Sequence, residues 1–201
     1  MIRFFGLDGE MTSADLSEGG HLCQIGLAAR VNGNELDVYS SVIGPRSEDG
    51  AEVQRDPKAM AVHGIPWSAI VSASPPWVVD AYTLGWLRGH GAEADNRGRT
   101  VVVGWGVGTF DMPFVRATLP RTAALISRRY VDLNAVCFAL GGLHAGGPKM
   151  NGWKRMSKRY AEESLQKKRV TGGWHDAGYD AAAALESFDY LRAAIARGGK
   201  Q

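Results

Sequence analysis

The sequence predicts one α/β domain, residues 1–201, with a mixed central sheet covered by helices. Three observations lead to this prediction. Three apolar or alternating segments separated by turn residues open the chain, a continuous apolar run lies at its centre, and helical periodicity dominates the rest. A chain of 201 residues, 45% of them hydrophobic, is long enough to bury one sizeable core.

The first three strands are predicted at residues 2–8, 22–31 and 35–43. Asn32-Gly33-Asn34 separates the second from the third, and an Asn-Gly pair between alternating segments is a strong hairpin signal. Strands joined by such short connections pair antiparallel. We therefore expect an antiparallel meander of three strands.

Helices and strands alternate after the meander, which favours parallel pairing for the later strands. The run TVVVGW (100–105) is typical of a central strand covered on both faces. The other expected elements are a short helix at 56–62 opened by Asp56 and Pro57, a helix at 76–89, a surface loop at 90–99, a helix from about Asp111, a strand near 130–131, a helix at 133–140, a loop at 141–152, a basic helix at 153–165 and a last helix at 176–196.

Net charge, cysteine usage and the lack of long apolar runs bear on the partners and the location of the protein. A net charge of +2 permits a nucleic-acid partner without requiring one. Cys23 and Cys137 show no metal-ligand spacing and are expected to be free thiols in a reducing cytoplasm. Because no signal sequence is evident and no apolar run approaches the roughly 18 residues that cross a bilayer, we expect a cytoplasmic protein without a membrane partner.

Two carboxylates, Asp8 and Glu10, follow the first apolar strand and share one face if the strand continues through both. Two such groups repel each other unless a cation lies between them, and a hard divalent cation prefers oxygen ligands. An acidic strand end that simply meets solvent would look the same. Asp111 begins a helix after the central strand, where an ordinary N-cap is the alternative.

The last helix carries a further pair. Asp176 is its expected N-cap, so His175 would lie in the preceding loop and Asp180 about one turn inside. A capped surface helix with incidental acids is the alternative. The alanines at 177 and 181–184 indicate a closely packed helix face, which favours burial of Asp180.

Taken in order, Asp8-x-Glu10, Phe110-Asp111 and His175-x₄-Asp180 resemble the motifs of the DEDDh (DnaQ-like) family of 3′–5′ exonucleases in the ribonuclease H-like superfamily. The resemblance spans residues 4 to about 190. It implies a ribonuclease H-like fold: a five-stranded mixed sheet, with three meander strands plus two parallel strands and helices on both faces. One departure is the stretch GWGVGTFD, which lacks the asparagine that many relatives carry before Phe-Asp.

The resemblance also implies a site for two Mg²⁺ or Mn²⁺ ions. By analogy Asp8 would bridge both ions, Glu10 and Asp180 would complete one position, and Asp111 would hold the other largely through water. His175 would accept the proton of the attacking water, a task suited to histidine near neutral pH.

The resemblance suggests a pocket for the terminal nucleotide lined by Met11, Thr12, His63 and Phe110, although ordinary packing explains each of these equally well. Basic residues concentrate at 149–169 and, with Trp153 stacking on a base, could follow a nucleic-acid backbone. Trp105 and Trp174 are expected to lie in the core.

The expected function is metal-dependent release of nucleoside monophosphates from single-stranded 3′ ends of DNA or RNA. RNA-specific trimming or oligoribonuclease activity is one alternative, and a non-catalytic nucleic-acid-binding module with the same fold is another. The segment after the last helix shows no polymerase-docking tail, so we expect a free-standing enzyme, as a monomer or homodimer.

Overall fold

A computed structural model describes residues 2–32, 35–45, 53–92, 99–126, 128–143 and 148–198. In these ranges the strands are β1 (Arg3–Met11), β2 (Leu22–Val31), β3 (Glu35–Val42), β4 (Thr100–Gly104) and β5 (Tyr130–Asp132). The helices are α1 (Pro57–His63), α2 (Trp67–Ser72), α3 (Pro76–Gly89), α4 (Asp111–Thr118), α5 (Pro120–Leu125), α6 (Leu133–Leu143), α7 (Met150–Lys167) and α8 (Ala177–Ala196).

The five strands form one mixed sheet in the order β3-β2-β1-β4-β5. The pairs β1–β2 and β2–β3 are antiparallel, whereas β1–β4 and β4–β5 are parallel. The predicted meander and the parallel pairing of the later strands are therefore confirmed. The fold is the ribonuclease H-like α/β architecture, with β1 at the centre of the sheet.

The two faces of β1 pack against different helices, because successive side chains of a strand point to opposite sides. Phe5 and Leu7 join a core with α3, α4 and α5, while Phe4 packs with Phe188 of α8 on the other side. Asp8 and Glu10 share the parity of Phe4 and so face α8. Strand β1 continues to Met11, so the prediction that the two carboxylates share one face of the strand is confirmed.

Glycines let α8 lie directly on the sheet. A Cβ atom at Gly6 would stand 1.9 Å from the carbonyl oxygen of Ala181, and one at Gly26 would stand 1.9 Å from that of Ala177. The alanines of α8 face this contact and are buried, as their pattern predicts. Helix α8 therefore starts against the strand that carries Asp8 and Glu10.

Some boundaries differ from expectation. The short helices α2 and α5 were not predicted, and neither has a side-chain N-cap hydrogen bond that would mark its start. The expected loop 141–152 is shorter than predicted, because α6 runs to Leu143 and α7 begins at Met150. The turn residues Gly33 and Asn34 and most of the expected loop 90–99 lie outside the described residues. Among the described helices, none combines the length and apolar character needed to span a bilayer.

Candidate metal centre

Four carboxylates converge at the C-terminal half of β1, and we call Asp8, Glu10, Asp111 and Asp180 the carboxylate cluster. Asp8 and Glu10 are in β1, Asp111 is the first residue of α4, and Asp180 is in the first turn of α8. The charges of Asp111, Asp180 and Glu10 all raise the pKa of Asp8, after the larger effect of its burial.

Asp111 is tied to β1 rather than capping its own helix. Its Oδ1 accepts a hydrogen bond from the backbone N–H of Gly9 at 3.0 Å, and the side chain is 2% exposed. Phe110 occupies the N-cap position of α4 and makes no side-chain capping bond. The N-cap interpretation of Asp111 therefore does not describe this structure.

Asp180 and His175 are held together at the start of α8. The N–H of His175 donates to Oδ2 of Asp180 at 3.0 Å, and His175 has a positive φ of 70° that turns the chain into the site. Asp176 caps the helix, as predicted, by accepting from the N–H of Tyr179. A carboxylate oxygen of Glu10, one of Asp180 and a ring nitrogen of His175 all lie within 4.8 Å of one another.

Gln24 fixes this helix start and was missed by the sequence analysis. Its Nε2 donates to Ser40 at 2.9 Å and to Asp176 at 3.3 Å, while its Oε1 accepts from the N–H of Ala177 at 3.3 Å. Gln24 pairs with Glu10 across the β1–β2 ladder. Because these partners are distant in sequence, only the fold reveals that Gln24 links Glu10's strand to α8.

The protein environment disfavours the ionised cluster. Burial raises the pKa of Glu10 to about 8, and the charges of Asp180 and Asp111 add to this effect. Burial likewise raises the pKa of Asp111 to about 7 against the lowering effect of the Gly9 hydrogen bond. Burial and the other three acids raise the pKa of Asp8 well above its usual range, and burial raises that of Asp180.

These acids fit a divalent cation. The Oδ1 atom of Asp180 is buried and has no hydrogen-bond partner within the described ranges, so this oxygen is available as a ligand. Four oxygen donors with one imidazole match hard cations such as Mg²⁺ and Mn²⁺. A bound cation would favour the ionised acids and offset their repulsion.

A cleft of about 280 Å³ opens beside Glu10. Met11 and Phe110 line it together with Lys58 and Val62 of α1, and Phe110 is 46% exposed. The structure thus brings two of the four expected nucleotide-pocket residues to a cavity at the cluster.

Thr12 and His63 are placed differently. Thr12 is fully buried, and its Oγ1 accepts from the N–H of His21 at 3.0 Å. His63 Nδ1 accepts from the N–H of Ile65 at 3.0 Å, and its Nε2 lies 3.8 Å from Sγ of Cys23. Burial lowers the pKa of His63, which favours a neutral ring. Both residues support the neighbouring backbone instead of lining this cleft.

The tryptophan predictions need correction. Trp153 is 0% exposed and packs in the core, so it cannot stack on a base. It belongs to a buried stripe with Ser157, Ala161 and Leu165, at the four-residue spacing of one helix face. Trp105 and Trp174, expected in the core, are only half-buried and lie beside the cluster with Lys158 between them.

Several cations of the basic segment have partners inside the protein. Lys168 donates to Glu186 at 2.6 Å, and Lys154 donates to Oδ1 of Asn134 at 3.0 Å. Arg159 pairs with Glu163 on the helix surface. Helix α7 is therefore less of a continuous basic strip than its sequence suggests.

The stretch GWGVGTFD, which lacks the asparagine, has a backbone conformation at Gly106 that favours glycine. Gly106 has a φ of 76°, and its N–H donates to Oδ1 of Asp132 at 3.1 Å. Val107, which follows it, is fully buried in the core. The burial of Val107 and the hydrogen bond from the Gly106 N–H therefore fix the segment between β4 and Asp111.

Comparison with solved structures finds the same fold in nucleases. The chain aligns with zinc-bound E. coli exonuclease I in complex with single-stranded DNA (TM-score 0.62, 13% identity, 98% of this chain) and with exonuclease I bound to a dT13 oligonucleotide (TM-score 0.64, 15% identity, 98% of this chain). It also aligns with cell-death related nuclease 4 (TM-score 0.56, 17% identity, 97% of this chain).

The chain spans 41–42% of those two exonuclease I chains and 64% of cell-death related nuclease 4. No protein-family model matches it, and no curated protein is detectably similar to it in sequence. At these identities the similarity establishes the fold.

Proposed function

We propose that this domain is a metal-dependent 3′–5′ exonuclease that releases nucleoside monophosphates from single-stranded ends of DNA or RNA. The observation that carries the proposal is the convergence of the carboxylate cluster with His175 at the C-terminal half of the central strand. The solved relatives support the substrate class, because exonuclease I is seen with single-stranded DNA in the same fold.

The cluster would hold two Mg²⁺ or Mn²⁺ ions, which activate water and stabilise charge on the phosphate and the leaving oxygen. Asp8, at the centre, would be shared by both positions. Glu10 and Asp180 would complete one of them, and Asp111, anchored by Gly9, would serve the other.

His175 is the proposed general base. Its side chain is exposed, and a ring nitrogen lies within 4.8 Å of carboxylate oxygens of Glu10 and Asp180. A water held by those carboxylates would therefore be within reach of an imidazole that can take its proton. The bond from the His175 N–H to Asp180 keeps the backbone of this loop fixed during that transfer.

The cleft lined by Met11 and Phe110 is the proposed pocket for the terminal nucleotide. It lies directly beside Glu10, so a base in the cleft would leave its phosphate near the cluster. The exposed ring of Phe110 can stack on a base without discriminating between bases. This suits an enzyme that removes nucleotides in succession.

The test is a directional assay on 5′-labelled single-stranded DNA and RNA of the same sequence. We expect a ladder that shortens from the 3′ end with Mg²⁺ or Mn²⁺ and no shortening with EDTA. Asp8→Asn should lower the rate by about 10³-fold or more, whereas the exposed control Asp15→Asn should not. Internal cuts, or activity in EDTA, would refute the proposal.

The same assay separates the alternatives. Shortening of RNA alone would favour 3′-end trimming or oligoribonuclease activity. Binding of both labelled strands without monophosphate release would favour a non-catalytic nucleic-acid-binding module.

A further inference from the structure

Lys158 of α7 is held between two tryptophan rings at the edge of the carboxylate cluster. Its Nζ lies 4.1 Å from the centre of the Trp174 ring and 5.5 Å from that of Trp105. These distances are those of cation–π contacts. Trp105 follows β4 directly and Trp174 directly precedes His175, so the lysine connects both sides of the site.

The Trp174 ring is fixed by two further contacts. The Nε1–H of Trp174 donates to Glu162, which lies one helical turn beyond Lys158 on α7. The edge of the Trp174 ring also meets Tyr179 of α8, with ring centres 5.7 Å apart. Two residues of α7, Lys158 and Glu162, therefore contact Trp174, and together they place the face of its ring under the Lys158 ammonium group.

The neighbouring lysine is arranged differently. Lys154 lies 5.2 Å from the Trp105 ring centre, but its ammonium already donates a hydrogen bond to Asn134. The Lys158 ammonium makes no direct ion pair or hydrogen bond with any described residue. It interacts electrostatically with the acids Asp180, Asp8 and Glu162 and with the neighbouring Lys154. The ammonium therefore rests on the rings, close enough to Asp180 and Asp8 to interact with their charges but without a direct contact to either.

An ammonium held in this way retains all three N–H donors for a ligand at the cluster. Of the groups that the proposed function brings there, the phosphate is the anion. We propose that Lys158 binds the phosphate of the nucleotide at the carboxylate cluster, as a further substrate-contacting residue clasped by Trp105 and Trp174. This inference rests on the proposed function for the identity of the anion.

The test compares thymidine monophosphate with thymidine, which lacks the phosphate. Their affinities are measured by calorimetry with Mg²⁺ present for the wild type, Lys158→Met, Lys158→Arg and Lys167→Met. Methionine keeps an apolar stem for the rings and removes the charge, whereas arginine keeps the charge. Lys167 is exposed at the end of the same helix and controls for loss of one positive charge.

We expect the wild type to prefer the monophosphate and Lys158→Met to lose roughly tenfold or more of this preference. Lys158→Arg should recover much of it, and Lys167→Met should behave as the wild type. If Lys158→Met fails to fold, Lys158→Gln provides the second uncharged variant. An unchanged preference in the uncharged variant, or a wild type that binds both ligands equally, would overturn the inference.

Failure of the inference can be told from failure of the proposed function. An unchanged preference in Lys158→Met, beside a wild type that shortens DNA in Mg²⁺, overturns only the role of Lys158. A lost preference beside a wild type without nuclease activity supports the phosphate contact and overturns the exonuclease.

Discussion

Replacing Glu10 with glutamine should stabilise the metal-free protein at alkaline pH. Burial raises the pKa of Glu10 from its ordinary 4.5 to about 8, so ionising it costs the folded state but not the unfolded chain. This cost is absent below pH 4.5, develops as the pH rises, and is complete above about pH 8. Glutamine keeps the shape of the side chain and removes the cost.

The size of the effect follows from the two pKa values. At about 1.4 kcal/mol per pKa unit, the rise from 4.5 to about 8 corresponds to about 5 kcal/mol for a Glu10 that ionises alone. The neighbouring acids take up protons as Glu10 loses its own, which relieves part of the repulsion. We therefore expect a gain on the order of 2–3 kcal/mol in the free energy of unfolding.

The assay is urea unfolding followed by circular dichroism in EDTA, at about pH 5 and about pH 9. Glu10→Gln should exceed the wild type by much more at the higher pH than at the lower, and millimolar Mg²⁺ should reduce or reverse the difference by stabilising the wild type. The control is Glu35→Gln, at an exposed position of β3. Equal stabilities of Glu10→Gln and wild type at both pH values, or a less stable variant at about pH 9, would refute the electrostatic reasoning.

Three further outcomes follow from the same structure. In the same urea assay, Gly26→Ala should lower the free energy of unfolding by about 3 kcal/mol, because its Cβ would stand 1.9 Å from the Ala177 carbonyl oxygen. The control Gly85→Ala, where no atom lies within 4 Å of the added Cβ, should be neutral or stabilising. Arg30→Met should cost about 2 kcal/mol near neutral pH, since Arg30 pairs with both Glu186 and Asp189. The share of this cost that comes from Glu186 should vanish as acid titrates that residue, whose pKa is lowered by the Lys168 hydrogen bond ahead of the other partners. In thermal unfolding, Mg²⁺ should raise the midpoint at about pH 8 and scarcely at about pH 5, because bound cations require deprotonated acids; an equal rise at both would contradict this.

The positions of Asp8, Glu10 and Asp180 within their elements could be predicted because those signals are local, whereas the meeting of all four acids was implied by the family resemblance. Strand alternation places Asp8 and Glu10 on one face, and Asp176 marks the start of α8 and so positions Asp180. The alanines of α8 report close packing within the sequence itself. Each of these features depends on neighbours within a few positions.

The supporting residues could not be predicted because their partners are distant along the chain. Gln24 reaches Asp176, and Lys158 lies between Trp105 and Trp174 only after the sheet and α7 have assembled. No local pattern separates these residues from ordinary polar or core positions.

The error on Trp153 was avoidable. The stripe that it forms with Ser157, Ala161 and Leu165 has helical spacing and marks the buried face of α7. Attention to charge alone gave the opposite expectation. Periodicity is the better guide to the exposure of an aromatic residue on a basic helix.

The most direct test of the metal centre is anomalous scattering from crystals of the protein grown with Mn²⁺. We expect two manganese peaks about 3.5–4 Å apart, with Asp8 between them and Glu10, Asp111 and Asp180 around them. Manganese bound elsewhere, or a carboxylate cluster without any peak, would contradict it.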